Sequence, residues 1–495
     1  MLLLRKRSVK FVGKVTNGQV FSNLFWRLLE RFGAHGVTLV VSIVLARLLD
    51  PTAYGTIAII TVFTSILGVF LDGGFSSALI QKKDCDDVDF STVFYFQLTF
   101  SGLLYLIMFI AAPFISDFYQ MRELTPLIRV MSLGIIVSAV KSVQSAYVSR
   151  KLMFKKFFFS TLGGTIAAAI LGIWMAYHGF GAWALVMQGL VNSIIDTIIL
   201  WITVPWRPIL AFSFMRLKQL FSFGSKLLIS SLIDTVYNNL RSLVIGKVYT
   251  SQDLAFYNKG QVFPNLIVTN VNSSINSVLF PVMSSAQEDT ETVKRMTRRA
   301  IKTSTCIMFP LMIGLAVCAE PLVRLLLTEK WLPCVLYLRI FCFTYAFYPI
   351  HTANLNAVQA LGRSDIFLKL EVIKKGIGFL AIFITVFISV EALAYSLIVT
   401  SILSQIINAW PNRKILKYGY HEQLKDMLPS MLVAVCMSIC VYPIQLVKIP
   451  DIVVLILSVF VGALIYIALS YFLKVESFHY LLQFMTASRK KNNKN

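Results

Sequence analysis

Apolar runs of about 20 residues, separated by short polar segments, recur along most of the chain. A helix of about 20 residues crosses the ~30 Å hydrocarbon core of a bilayer. The pattern predicts an all-α polytopic membrane protein with about fourteen transmembrane helices. The first segment, "MLLLRKRSVKFVGKV", has neither the apolar core nor the small-residue cleavage site of a signal peptide. We therefore expect the first span to remain in the protein and to serve as its insertion signal.

The distribution of charge predicts how the spans are oriented in the membrane. The 495 residues are 57% hydrophobic and 14% charged, and the formal net charge is +22. The basic clusters "RKRSVK", "SRKLMFKK", "VKRMTRRAIK", "NRKILK" and "SRKKNNKN" all fall on one side of the predicted topology. The positive-inside rule places that side, and both termini, in the cytoplasm. The basicity then reflects topology and contact with anionic lipid heads, so no nucleic-acid partner is expected.

Chemistry that would indicate a metal or cofactor is not found in the sequence. The seven cysteines are scattered, and neither they nor the five histidines have metal-ligand spacing. There is no Walker A motif for ATP. We expect no metal and no cofactor, and the sequence leaves open whether Na⁺ or H⁺ drives transport.

An internal repeat organises the spans. Phe21-Ser22 and Phe221-Ser222 are offset by 200 residues, as are Ala46-Arg47 and Gly246-Lys247. Six spans separate the two starts, so the repeats should be parallel. This predicts an N-terminal six-helix lobe (1–204), a C-terminal six-helix lobe (205–412) and an appended two-helix segment with a basic tail (413–495). Chance similarity between apolar segments is the alternative reading.

Polar side chains recur at helical spacing inside some spans, although a charge there costs roughly 2.5–3.5 kcal/mol on insertion scales. The first span carries Arg27 and Arg31 on one face, and the seventh carries Lys226, Asp234 and Arg241. The eighth has a longer stripe, formed by Asn258, Gln261, Asn265, Thr269, Asn272 and Asn276. A face that is polar along its full length predicts the wall of an aqueous cavity.

Each of these residues also has a structural explanation. Arg27 and Arg31 can reach lipid phosphates at the cytoplasmic end, and Glu30 can pair with Arg27. The Asn stripe can hold helices together. Asp72, in "FLDGGFSS", can cap a helix break at the glycines that follow it or couple transport to an ion.

The segment "LARLLDPTAYGTIAIITVFTSILGVFLDGGFSSALIQKKD" resembles the flippases that export O-antigen, colanic acid or teichuronic acid repeat units. They belong to the multidrug/oligosaccharidyl-lipid/polysaccharide exporter superfamily. Further matches are "YVSRKLMFKKFF", "AFYNKGQVFPN", "FPVMSSAQED" and "QALGRSD". The resemblance implies two pseudo-symmetric six-helix lobes arranged as a V around a central cavity, where basic residues hold a pyrophosphate. The matching positions are Arg27 and Arg31 in span one and Lys226 and Arg241 in span seven.

The expected substrate is thus an undecaprenyl-diphosphate-linked oligosaccharide, moved across the bacterial cytoplasmic membrane for cell-surface polysaccharide synthesis. Cations suit its diphosphate, and amides and hydroxyls suit its glycan. A cation-coupled drug exporter of the same superfamily and a lipid II flippase are the alternatives. An enzyme is not expected, since no external connection carries paired carboxylates. A polymerase and glycosyltransferases of the same pathway would be the protein partners.

Overall fold

A computed structural model describes residues 17–72, 74–82 and 84–483. Over these residues the regular secondary structure is helical, as predicted. The helices in chain order are α1 (Asn17–Leu48), α2 (Pro51–Asp72), α3 (Phe75–Gln81), α4 (Asp87–Tyr119), α5 (Leu124–Arg150), α6 (Phe154–Tyr177), α7 (Ala182–Thr203), α8 (Phe214–Val248), α9 (Ser251–Ser285), α10 (Thr290–Val317), α11 (Ala319–Leu327), α12 (Cys334–Ala346), α13 (Tyr348–Ala360), α14 (Ser364–Thr385), α15 (Val390–Ile415), α16 (Tyr420–Val441) and α17 (Asp451–Phe472).

The chain is a multi-pass membrane protein by its helices. Within the described residues, eleven segments are long and apolar enough to cross a bilayer. They comprise the runs containing α2, α4–α7, α9, α10, α12–α13 and α15–α17. The predicted number of fourteen adds α1, α8 and α14, of which α8 and α14 carry several charged side chains. This number remains a prediction.

Two of the predicted spans are each divided into two helices. α2 ends at Asp72, and α3 begins after Gly74, which has a left-handed φ of 72° that suits glycine. The predicted helix break is therefore present at Gly74. The tenth span divides into α12 and α13 at Phe347, because Pro349 in the first turn of α13 has no N–H to continue the helix.

The chain forms two contact units, residues 1–255 and 256–495. In the first unit, α6 packs along α7 and α1, while α5 packs on α4, α7 and α2. Glycine makes the α6–α7 approach close: a Cβ at Gly164 would lie 2.8 Å from the Asn192 carbonyl oxygen. Small residues serve this purpose in membrane helices because lipid provides no hydrophobic force between them.

The segment between the predicted repeats is fixed to the first unit. The backbone N–H of Ile209 donates to Ser91 Oγ (3.0 Å) and that of Ser213 to Thr92 Oγ1 (3.1 Å). Trp206 is buried in a cluster of apolar side chains with Phe90. α8 consequently packs on α2, α3 and α4. The predicted lobe boundaries at 204 and 412 remain predictions, because contacts do not test a symmetry between repeats.

An ion-pair network lies where α8 begins. The Arg216 guanidinium contacts the carboxylates of Asp86 and Asp89, and Lys82 Nζ lies 2.7 Å from Asp89 Oδ1. Burial favours the neutral form of Asp86, but its bonds from Arg216 and from the backbone N–H groups of Asp89 and Val88 lower its pKa. Asp86 and Asp89 also form the capping box of α4.

In the second unit, α10 packs against α12, α13 and α16, and α14 lies along α15. The predicted appended helices are α16 and α17, which pack on each other. α16 is held at its start by a buried amide network, in which Gln423 and Asn412 both donate to Asn354 Oδ1 at 2.8 and 2.7 Å. These contacts join the appended pair firmly to its neighbours in this unit.

Candidate functional site

Of the four cations predicted to bind the diphosphate, the structure describes the side chain of Arg241. The helical backbone of α1 and α8 includes Arg27, Glu30, Arg31 and Lys226, but their side chains lie outside the described part of the structure. Arg241 is described: it lies two turns before the end of α8 and is 9% exposed. α8 thus carries at least one guanidinium that is largely removed from solvent.

α8 also presents an accessible polar face. Asp234 is exposed, and Ser230 and Asn238 are exposed four residues before and after it. Side chains at this spacing lie on one side of a helix. The sequence predicted Asp234 as part of a polar wall; the structure adds Asn238 to the same face.

The amides of α9 have two different environments. Gln261 Nε2 lies 2.5 Å from the Tyr345 hydroxyl, Asn272 Oδ1 accepts from Thr352 (2.6 Å), and Asn276 Oδ1 accepts from Asn356 (2.9 Å). The last two pairs share an offset of 80 residues, so α9 and α13 run parallel and in register. The reading of the stripe as interhelical contact therefore holds for three of its members.

The rest of that face remains accessible. Asn265 is exposed, Asn276 stays exposed despite its hydrogen bond, and Asn258 is half-buried. Four further exposed polar residues were not predicted from the sequence, and their hydroxyls and amide bond to carbonyls of their own helix: Asn270, Ser273, Ser274 and Ser277. Thr269, a predicted member of the stripe, is exposed and bonds the Asn265 carbonyl in the same way. Their clustering in "TNVNSSINS" was the available signal. The exposed polar face of α9 is thus broader than the predicted stripe.

Asp72, predicted to cap the helix break or to bind a coupling ion, is exposed at the end of α2. Among the described residues its carboxylate has no hydrogen-bond or ion-pair partner. Gly74 occupies the position before α3, so capping by Asp72 is not observed. Nor do the described residues contain a group of three His, Cys, Asp or Glu side chains able to hold a metal.

Two ionisable groups that stand alone in the sequence are partners in the structure. Lys141 Nζ on α5 lies 2.5 Å from Asp196 Oδ2 on α7. The Asp196 side chain is 8% exposed, whereas that of Lys141 is 33% exposed. Next to Lys141, Ser142 donates to the fully buried Gln97 (2.6 Å), which in turn donates to the Leu71 carbonyl at the end of α2. These polar groups join α2, α4, α5 and α7 inside the first unit.

Two further arginines within spans, Arg129 and Arg339, have partners on neighbouring helices. Arg129 lies over the Phe109 ring at 4.0 Å and bonds the Phe109 carbonyl. Arg339 bonds the Ala316 carbonyl at 3.3 Å. Both contacts are with neighbouring helices of the same unit, so neither cation belongs to the candidate site.

A pocket of about 810 Å³ lies at the end of the first unit where four interhelical turns meet. The α1–α2 turn and the α8–α9 turn, which the predicted repeat relates, form two of its walls. They approach so closely that a Cβ at Gly55 would lie 1.7 Å from the Ser251 carbonyl oxygen. Asp50, Arg122 and Glu123 give the pocket mixed charge.

Comparisons with known proteins agree with one another. The profile of a family described as "Polysaccharide biosynthesis protein" matches residues 44–336. "Teichuronic acid biosynthesis protein TuaB" of Bacillus subtilis (strain 168) is 24% identical over 399 residues, covering 78% of this chain and 80% of the relative. "Lipopolysaccharide biosynthesis protein WzxC" of Escherichia coli (strain K12) is 25% identical over 363 residues, covering 72% and 73%.

A solved structure shows the same fold. "Lipid II flippase MurJ, inward closed conformation" matches with a TM-score of 0.70 over 93% of this chain and 99% of its own, at 16% identity. At that identity the likeness concerns the fold alone, and it does not transfer a substrate.

Proposed function

The chain belongs to the polysaccharide biosynthesis protein family, and on that premise we propose that it is a flippase for lipid-linked oligosaccharides. Its substrate would be an undecaprenyl-diphosphate-linked repeat unit, moved from the inner to the outer leaflet of the bacterial cytoplasmic membrane. The product would then serve the assembly of a cell-surface polysaccharide, alongside polymerase and glycosyltransferases of the same pathway.

The exposed polar face of α9 is the observation that carries the proposal. From Asn265 to Ser277 this face offers only amides and hydroxyls, although α9 is long and apolar enough to span a membrane. Hydrocarbon cannot hydrogen-bond the oxygens and amide N–H groups that the intrahelical bonds of this face leave over, so we infer that the face borders water or a polar substrate. Amides both donate and accept, as sugar hydroxyls do, and so suit a glycan without a fixed charge.

The diphosphate requires cations. Arg241 on α8 is described and largely buried, and burial strengthens its attraction for phosphate oxygens. We assign Arg27, Arg31 and Lys226 the same role, with Asp234 and the accessible amides Asn258, Asn265, Asn272 and Asn276 as the glycan wall. Gln261 contributes by fixing α9 to Tyr345.

The membrane potential can supply the driving force. Moving about two negative charges outward, down an inside-negative potential, yields about 4–5 kcal/mol per 100 mV. Alternating access by rocking of the lobes would use this energy without ATP. Coupling to Na⁺ or H⁺ would add to it, and Asp72 and Glu30 are the carboxylates we propose for that role.

Two alternative substrates come from other branches of the superfamily: a cationic drug and lipid II. The two relatives above are named for the biosynthesis of teichuronic acid and lipopolysaccharide, which favours an oligosaccharide. A site for cationic drugs would also need acidic groups, whereas four of the five charged residues predicted to line the cavity are basic and only Asp234 is acidic. We therefore propose the oligosaccharide carrier as the substrate.

A transport assay in proteoliposomes tests this function directly. A fluorescent undecaprenyl-diphosphate oligosaccharide is placed in the leaflet that corresponds to the cytoplasm, and its appearance on the other side is measured with a sugar-specific lectin. Arg241→Gln should lower the initial rate at least tenfold. Arg129→Gln, which removes an arginine bonded to Phe109, is the control and should keep the rate.

Competing lipids separate the alternatives. Unlabelled lipid-linked repeat unit should compete with the fluorescent substrate, whereas excess lipid II should not. Equal competition by lipid II would favour the peptidoglycan precursor, and export of a cationic dye in the same vesicles would favour the drug exporter. Full transport by Arg241→Gln would remove Arg241 from the site.

A further inference from the structure

A continuous apolar stripe runs along α15 on the accessible surface of the second unit. Its members are exposed and spaced at i, i+4, i+8, i+11 and i+15: Tyr395, Val399, Leu403, Ile406 and Trp410. α16 carries a second exposed apolar stripe with the same spacing, formed by Leu424, Leu428, Leu432, Val435 and Ile439. The two helices are in contact. Because exposed apolar area of this extent is unfavourable in water, both stripes face hydrocarbon.

A pocket of about 690 Å³ lies at the turn between α15 and α16, where the α15 stripe ends, and its lining includes Tyr420, one helical turn before the first residue of the α16 stripe. Its lining changes in character along the chain: Ile406 and Trp410 on α15 are followed by Arg413 at the end of α15, by Lys417 in the turn, and by Tyr420 and His421 at the start of α16. From the α15 stripe towards the turn, the order is therefore apolar, aromatic, cation, cation. Tryptophan and tyrosine favour the membrane–water interface, and Arg and Lys favour the level of lipid phosphates.

The cations of this pocket are not used by the protein itself. Within the described part of the chain, the Arg413, Lys417 and His421 side chains have no hydrogen-bond or ion-pair partner. The one carboxylate of the lining, Glu422, accepts from the backbone N–H of Gly419 at 2.9 Å. The pocket thus presents two fixed positive charges and a histidine at the end of two lipid-facing stripes.

The turn that carries these groups is held rigidly. Leu416 and Tyr418 are buried, and the Tyr418 hydroxyl donates to Asp426 Oδ2 (2.9 Å). Asp426 also receives two bonds from Arg298. Lys417, between the two buried residues, has a φ of 48°, a left-handed conformation that a lysine rarely adopts. Its side chain is exposed as a result of a fixed backbone.

We propose that this pocket is a binding site for the head group of an anionic diacyl phospholipid, whose phosphate contacts Arg413 and Lys417 and whose two acyl chains lie along the α15 and α16 stripes. The site faces the leaflet that the charge asymmetry predicts to be cytoplasmic. It is separate from the polar face of α9 and does not depend on the proposed transport function.

The chemistry favours a phospholipid over the two other anionic occupants. Free phosphate would use the cations but leave the apolar stripes without a role. A polyprenyl phosphate carries one chain, whereas two stripes of equal spacing lie on the two helices that the turn of this pocket connects. A head group with one negative charge also matches two cations offset by Glu422.

Native mass spectrometry of the purified full chain tests the site with defined lipids. Phosphatidylglycerol and phosphatidylcholine are titrated in parallel, and bound lipid is counted after detergent removal. Arg413→Gln/Lys417→Gln should weaken phosphatidylglycerol binding about 25-fold, from about fivefold for each removed cation. Lys414→Gln/Lys425→Gln removes the same charge from exposed positions on α15 and α16 outside the pocket lining. This control should bind as the parent does.

Crosslinking locates the lipid independently. A phosphatidylglycerol with a diazirine on its acyl chain should label peptides of α15 and α16 around Ile406 and Leu424, and the labelling should fall in the Arg413→Gln/Lys417→Gln variant. The proposal would be overturned if both double variants lost phosphatidylglycerol binding to the same extent. It would also be overturned if the parent protein bound phosphatidylcholine as tightly as phosphatidylglycerol. Preferential displacement by undecaprenyl phosphate or by inorganic phosphate would also overturn it.

Discussion

Gly55 is the position where a single methyl group should do most damage to the first unit. It lies on α2, directly against the backbone of Ser251 at the start of α9. A Cβ on Gly55 would lie 1.7 Å from the Ser251 carbonyl oxygen and 2.4 Å from its carbonyl carbon. Ordinary carbon–oxygen contacts are about 3.3–3.6 Å. The α8–α9 turn would therefore have to move away by about 1.6 Å or more.

The expected change in unfolding free energy can be compared for alanine substitutions at three glycines on the contacting helices α2 and α8. Overpacking costs about 1–3 kcal/mol, and Gly55→Ala should be near 3 because its neighbour is backbone and cannot rotate away. Gly246→Ala meets the side chain of Ile59 at 3.0 Å, which can adjust, so we expect about 1 kcal/mol. Gly68→Ala meets nothing within 4 Å and should gain about 0.5–1 kcal/mol from helix propensity.

The three variants can be ranked by their unfolding free energies. Purified protein in mixed micelles is titrated with a denaturing detergent, and unfolding is followed by tryptophan fluorescence. The expected order of stability is Gly68→Ala, then Gly246→Ala, then Gly55→Ala, with about 3–4 kcal/mol between the extremes. If Gly55→Ala were as stable as Gly68→Ala, the contact between the two repeat-related turns would not exist as described.

Two further predictions concern ion pairs. Lys141→Met should cost about 3 kcal/mol of unfolding free energy in the same assay, because it leaves the Asp196 carboxylate buried without its cation. Adding Asp196→Asn should recover much of this loss. Additive effects of the two substitutions in a double-mutant cycle would contradict the pairing. Asp86→Asn should lower the melting temperature at pH 7, whereas Asp84→Asn, exposed nearby, should not. Since folding lowers the pKa of Asp86, its stabilisation is present at neutral pH and is lost as the pH falls below about 4, so the two variants should converge there.

Membrane spans and the faces of helices could be predicted from the sequence, because both depend on the spacing of residues along one helix. The break between α2 and α3 follows from two adjacent glycines, and the family resemblance given by "LARLLDPTAYG" is confirmed. Three members of the predicted α9 stripe, Asn265, Thr269 and Asn276, are exposed, and the role of the stripe as a cavity wall stays a prediction. In each case the determining information lies within about 20 consecutive residues.

Partners across helices could not be predicted in the same way. Lys141 and Asp196 are 55 residues apart on different helices, and nothing in either segment specifies the other. The attachment of α8 to the first unit depends on hydrogen bonds from the segment before it to Ser91 and Thr92. The spacing of residues along a helix predicts which side chains share a face. It does not predict which other helix, lipid or solvent that face contacts.

α9 and α15 each expose one face over several turns, but the side chains on the two faces differ in polarity. This contrast supports both proposals. Each helix leaves one face uncovered over several turns, but α9 presents amides and hydroxyls there, whereas α15 presents apolar side chains. The polar face of α9 is unfavourable in hydrocarbon, and the apolar face of α15 is unfavourable in water. A single surrounding medium would leave one of the two faces at a large cost. This contrast supports the proposed function, in which the second unit would border lipid along α15 and a polar phase along α9, as a carrier for an amphipathic lipid-linked sugar requires.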